Sequence, residues 1–242
     1  CPTPPDLNTI TAIVVGSDTP RASQFACSDL LVNQLYNNIV WTQRANFIEI
    51  PTDCPQRDER MGWLGDAQVF LRSAVYNMDV ASFFTKWLID LADAQYEDGS
   101  FPQVAPLPPK GAGWTPRKAD AGWGDAGTVI PWTLYVCYAD RHILEQYYPM
   151  MKGWTDYLAR DAQGYLRRPR PDLVALGDWL NIDAETPREV IMTAFFAYSA
   201  HLTALAAETL GHPDEAAHYQ QLFERVSEAF CRAFVDDEGR IE

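Results

Sequence analysis

From about Asp29 onward, apolar residues at helical spacing alternate with long stretches rich in proline and glycine. Leu31, Leu35 and Ile39 form one stripe of a first helix expected over about Asp29–Phe47, with Ser28 or Asp29 as its cap. Pro51 and Pro55 each restrict the residue before them, so Ile48–Pro55 leaves helical geometry. Ala67, Phe70, Leu71, Ala74, Val75 and Met78 then mark a second helix from Asp66 to about Met78. Asp79 is placed to cap a third, whose apolar face is Val80, Phe83, Phe84, Trp87, Leu88 and Leu91. Two consecutive helices with so short a joint pack antiparallel.

The segment between Glu97 and Gly122 holds Pro102, Pro106, Pro108, Pro109 and Pro116, and loops of this length inside a domain are usually functional. With Trp114 and Trp123 near its end, it reads as the wall of a pocket rather than as a linker. A fourth helix, about Gly127–Tyr138, is apolar nearly all round and is therefore an inner one. A fifth, about His142–Leu158, carries the stripe Ile143, Tyr147, Met150, Met151, Trp154 and Leu158 expected of an outer helix. After Gly164 comes a second loop with Pro169, Pro171 and Gly177-Asp178-Trp179. An apolar helix near Glu189–Leu210 follows, and then an amphipathic one at about Asp214–Phe234 presenting Tyr219, Leu222, Phe223, Val226 and Phe230.

Val190–Ala207 has no formal charge over eighteen residues. It contains Thr193, Ser199, His201 and Thr203, with apolar spacing at Ile191, Ala194, Phe195, Tyr198, Leu202 and Leu205, so a deeply buried helix is expected and not a bilayer span. Three acidic turns, at Gly99, Gly164 and Gly239, lie 65 and 75 residues apart and suggest a repeated helical hairpin with variable loops. The fold class is therefore all-α, with inner and outer helices alternating as in a helical toroid. About seven helices are counted. A six-hairpin barrel needs twelve, so either the domain is incomplete in this chain or the chain closes in another way. An open arc exposes inner helices, and such a face invites dimerisation or aggregation.

Composition narrows the function. With 47% hydrophobic and 21% charged residues the chain is globular, and 33 acidic against 19 basic side chains give a net charge of −14. That field repels phosphate backbones, so nucleic acid is not an expected partner. Residues 1–22, with Pro2, Pro4, Pro5 and an apolar run at Ile10–Val15, read as a linker with one strand, the tail of a preceding β-rich domain. The chain starts at Cys1 without an apolar segment behind a basic flank, which points to a fragment boundary rather than an acylated cysteine. The compartment stays open between a bacterial cytoplasm and a secreted or periplasmic location. Cys1, Cys27, Cys54, Cys137 and Cys231 are odd in number and widely spaced, and the four histidines are scattered, so neither disulfides nor a metal or cofactor is expected. Cys54 reads as a small packed residue.

The chemistry concentrates in Thr52–Gln68, which places Asp53, Asp58, Glu59 and Asp66 with Arg57, Arg60 and Trp63 in seventeen residues. A carboxylic acid near other carboxylates and against an indole is desolvated and repelled by like charge, so its proton is retained towards neutral pH. Glu59, beside Trp63 and flanked by Asp53 and Asp66, is thereby placed to act as a general acid. Ionised carboxylates with an aromatic plane suit a sugar, and the reaction class is glycosidic cleavage. A plainer reading of the same residues makes Asp66 an N-cap and pairs Arg57 and Arg60 with Asp58 and Glu59 on the surface.

The run Asn46–Phe70, preceded by Phe25–Tyr36 and followed by Phe83–Gln95 and Gly122–Trp132, resembles the catalytic domain of bacterial α-L-rhamnosidases, glycoside hydrolase family 78. The resemblance runs from about Ser23 to the end, so residues 23–242 are expected to be the N-terminal part of that domain. It implies an (α/α)₆ barrel that removes terminal α-L-rhamnose with inversion. The general acid of its Asp-Glu-Arg segment corresponds to Glu59, the sugar-binding carboxylates to Asp53 and Asp66, and the pocket indole to Trp63. Trp123 with Asp125, and Asp178 with Trp179, resemble further pocket residues, and Arg57 would fix Asp53 or bind a hydroxyl. The family's general base is a glutamate further along than Glu242, so no residue here takes that role. The expected partner is an L-rhamnose-containing glycoside, with no membrane and with a homodimer left open. Two rivals stand beside this: a sugar-binding or inert fragment, and the same barrel acting on another deoxy or uronic sugar.

Overall fold

The computed structural model describes residues 4, 6, 9–109, 115, 117–171, 173 and 176–241. Trp114, expected in a pocket wall, lies outside them. Among the described residues there are seven helices: α1 Leu30–Asn46, α2 Leu64–Asn77, α3 Ala81–Ala94, α4 Ala126–Tyr138, α5 Arg141–Asp161, α6 Arg188–Leu210 and α7 Pro213–Phe234. A two-residue hairpin, β1 Phe47–Ile48 against β2 Ile50–Pro51, separates α1 from the acidic motif. Residues 9–22 run extended, and the strand expected at Ile10–Val15 does not form; only Arg21 bridges to Met78.

Along the chain the helices follow one another as α2–α3, α4–α5 and α6–α7; the last two are packed pairs, whereas α2 lies mainly on α4 and α3 on α4 and α5. Each joint is two or three residues long. Ala139 and Gly211 end α4 and α6 in the left-handed region (φ +54° and +82°), which turns the chain directly into the next helix. The inner row is α2 on α4 on α6, with α3 and α5 outside it. The acidic turns at Gly99 and Gly239 share one geometry, with the glycine at positive φ in the fourth position and a backbone bond of 2.9 Å from Tyr96 to Ser100 and from Asp236 to Arg240. The turn at Gly164 is tighter: it closes from Gln163 to Leu166 at 2.9 Å, and both Gly164 and Tyr165 have positive φ.

The apolar faces expected for α3 and α5 are buried. Phe47 stacks on Phe83 at 4.6 Å, Phe84 meets Trp87 edge-on, and Trp87 and Trp154 are fully enclosed. Each such side chain contributes on the order of 1.5–3 kcal/mol. The faces of α1 and α6 differ from expectation. Leu31 is 81% exposed and Leu35 58%, and α1 instead buries Val40, Gln43 and Asn46. In α6, Tyr198 is exposed while Thr193, Phe196, Ser199, Ala200 and Thr203 face inward. The reason is that the inward face contacts helices through hydroxyls: Ser199 meets Thr128 of α4 and Thr203 meets Thr155 of α5, both at 2.8 Å. By length and composition α6 could cross a membrane; here it packs on α4, α5 and α7.

Between α3 and α4, residues 101–105 make a buried rib rather than a free loop. Leu64 N–H donates to Gln103 O (3.1 Å), Ala105 N–H to Gly62 O (3.0 Å) and Trp87 Nε1 to Ala105 O (2.8 Å). A Cβ on Gly62 would stand 2.1 Å from Ala105 O, so only glycine admits the rib there.

Candidate active site

The segments that precede α2, α4 and α6 meet at one end of the helical array and enclose a cleft of about 720 Å³. Asp53, Arg57, Glu59, Trp63 and Asp66 come from the first, Trp123 from the second and Trp179 from the third. Seven residues singled out in the sequence are thus brought together. Cys54, Leu176 and Leu180 complete much of the wall, and nothing in their spacing had marked the two leucines.

The acidic loop is tied by Asp53. Its N–H donates to Met61 O (3.1 Å) and its Oδ1 accepts from Met61 N–H (3.0 Å), which folds the seven intervening residues into a closed turn. Arg60 holds the turn from the other side through Pro55 O at 3.1 Å, with its own backbone at φ +51°. Glu59 is set between two donors: Trp63 Nε1–H at 2.9 Å on one oxygen and Arg57 Nη2 at 2.5 Å on the other. Arg57 reaches Asp53 Oδ2 at 3.8 Å and is itself 63% exposed, whereas Asp53 is 8% exposed and Glu59 25%. Trp63 therefore does more than desolvate Glu59; it donates to it. Donor atoms of Asp53, Cys54 and Glu59 lie within 4.8 Å of one another, a spacing that could hold a cation, and the cation the fold supplies there is Arg57.

Asp66 is not an N-cap. Helix α2 starts at Leu64 with Trp63 in the cap position, and Asp66 sits in the first turn with its side chain towards the cleft. Loss of hydration among the surrounding protein atoms raises its carboxyl above the usual range, and the charges of Asp53 and Glu59 raise it further. A smaller cavity of about 290 Å³ lies on the far side of Asp53 and Asp66, between the end of α1 and α2.

Asp125 corrects the expectation of a sugar ligand. It is fully buried beneath the cleft, where Oδ1 accepts from Ser199 Oγ (2.6 Å) and Trp154 Nε1 (2.9 Å) and Oδ2 from Gly122 N–H (2.8 Å). Burial pushes its carboxyl up to about 6 against these bonds. Asp178 accepts from Thr186 at 2.9 Å and orders the Trp179 turn, in which Trp179 is 62% exposed at the rim. Gln68, whose partner is 54 residues away, donates to Gly122 O and escaped the sequence reading. Among the histidines, His201 packs on Phe223 and His212 on Tyr148, away from the cleft.

Residues 20–242 match the family model described as the bacterial alpha-L-rhamnosidase six-hairpin glycosidase domain. An α-L-rhamnosidase of Streptomyces avermitilis is 43% identical over 241 residues, which is 100% of this chain and 22% of that protein. An α-L-rhamnosidase structure from the same organism, complexed with L-rhamnose, superposes with a TM-score of 0.86 at 44% identity, covering 94% of this chain and 21% of the other. The native α-L-rhamnosidase structure from Aspergillus terreus gives a TM-score of 0.88 at 35% identity over 99% of this chain and 28% of its own. The chain thus spans between about a fifth and just over a quarter of the relatives it matches.

Proposed function

Because the chain belongs to the six-hairpin glycosidase domain family of bacterial α-L-rhamnosidases, we propose that the protein carrying it releases terminal α-L-rhamnose from glycosides with inversion, Glu59 being the general acid. The observation that carries this is the cleft itself, in which one carboxyl held by an indole N–H and an exposed guanidinium faces Asp53, Asp66 and two further indoles. Asp53, Asp66, Trp63, Trp123 and Trp179 hold the sugar, the carboxylates taking its hydroxyls and the rings its C–H faces. Arg57 must leave Glu59 as the glycosidic oxygen arrives, and its exposure allows that movement.

In the step assigned to Glu59 its proton passes to the glycosidic oxygen as the C1–O bond breaks. Water then adds to C1 from the opposite face and gives up a proton to a base about 6.5–9.5 Å from the acid. None of the cleft residues named here is given the role of base. The exposed stripe of α1 further leads us to propose that two copies associate, to be read as a mass that rises with concentration in light scattering; a constant monomer mass sinks that part.

The test of the activity is hydrolysis of an aryl α-L-rhamnoside, with the anomer of the released sugar followed by proton NMR. Glu59→Gln is expected to lower kcat by about 10²–10⁴ while L-rhamnose still binds, and retained turnover removes Glu59 from the role. Binding without release supports the sugar-binding reading, and release from a different deoxy or uronic sugar alone moves the substrate.

A further inference from the structure

We infer that Gln68 and Asp125 are positioning residues that grip Gly122 from two sides and thereby fix the indole of Trp123 in the cleft. The inference rests on the reading of that cleft as a sugar site. Neither residue lines it.

Trp123 has no hydrogen bond of its own to set its ring. Its Nε1 is buried and has no partner among the described residues. The ring edge lies directly on the backbone of α2: a Cβ on Gly65 would come within 2.6 Å of Cε2 and 2.7 Å of Nε1. Gly65 is next to Asp66, so the indole and that carboxylate are neighbours because glycine leaves the space between them. What keeps the ring on this seat comes from the residue before it.

Gly122 turns the chain at φ +79° immediately ahead of α4. Its carbonyl accepts from Gln68 Nε2, one turn further along α2. Its N–H donates to Asp125 Oδ2, and Asp125 is anchored in turn by Ser199 of α6 and Trp154 of α5. Trp123 and Gly124 also donate from their backbones to Asp120 O at 3.1 and 3.0 Å. The turn is thus referenced to α2, α5 and α6 at once, and the ring it carries inherits that position. Asn at position 125 could accept on one side only, since its amide nitrogen would meet either the Gly122 N–H or the Ser199–Trp154 pair as a second donor.

The experiment measures amide hydrogen exchange at Gly122, Trp123 and Gly124, and L-rhamnose affinity by calorimetry, in the wild type, Gln68→Met, Asp125→Asn and Gly65→Ala. Exchange at Gly122 should accelerate at least tenfold in Gln68→Met and Asp125→Asn while the amides of α3 keep their protection, and affinity should fall five- to tenfold. Gly65→Ala should lose affinity without faster exchange at Gly122, because it displaces the ring alone. Unchanged exchange in Gln68→Met and Asp125→Asn overturns the clamp, and Gln68→Met decides it if Asp125→Asn does not fold. Faster exchange with full affinity overturns the link from clamp to sugar. A wild type that binds no L-rhamnose sinks the sugar reading instead, and the exchange result still decides the clamp.

Discussion

At the scale of single residues, the fully buried carboxyl of Asp125 has a testable signature. With its carboxyl at about 6 in the fold and at the ordinary 3.8 when unfolded, the native state binds a proton between those values and the unfolded state does not. The associated stability is therefore complete below about pH 4 and is lost as pH rises through about 6, by roughly 3 kcal/mol at most. Urea unfolding of wild type and Asp125→Asn at pH 4, 5, 6 and 7 checks this; the variant, neutral throughout, should lack that decline, and parallel curves would contradict it. The surroundings of Asp125 were not legible in the sequence, because its partners Trp154 and Ser199 stand 29 and 74 residues away. Asp53, Arg57, Glu59, Trp63 and Asp66 fall within fourteen positions and meet in one cleft, so their proximity was legible there.

At the scale of elements, periodicity located the seven helices found among the described residues but not always the face that each one buries. A stripe shows which residues stand together and does not say which neighbour arrives. In α3 and α5 the stripe is also the packed face, as the enclosure of Trp87 and Trp154 shows. In α1 the stripe looks outward, and in α6 Ser199, Thr193, Thr203 and several alanines lie on the packed face because close helix approach and paired hydroxyls serve there. The consequence is quantitative. Leu71→Ala in α2, at a fully buried position, should cost about 2–5 kcal/mol. Leu35→Ala in the exposed stripe of α1 should stay within about 0.5 kcal/mol. Denaturant midpoints of the two variants settle which face carries the load, and equal losses would place Leu35 in the core after all.

At the scale of the whole molecule, the two long returns are held to one another by a fully buried ion pair. Arg167 donates to Asp120 Oδ1 at 2.8 Å and also pairs with Asp161, which takes Arg170 as well. One of these returns leads to Trp123 and the other to Trp179, so the pair ties together the two segments that carry those indoles. Arg167→Met should cost about 3–5 kcal/mol by stranding the buried carboxylate of Asp120, while Asp161 keeps Arg170, measured as a shift of the urea midpoint; a loss under 1 kcal/mol would mean that water already reaches Asp120. The turns at Gly99 and Gly164 have a consequence for how such a molecule can be altered. Each closes through its own backbone bond at the end of a hairpin, and the returns that follow run outside the helices to the next hairpin. The hairpins are thus a chassis, and the returns are exchangeable parts. A return grafted between Leu166 and Pro187 would inherit its two anchor points from the chassis, and the rim that carries Trp179 could be rewritten there without redesigning a single helix.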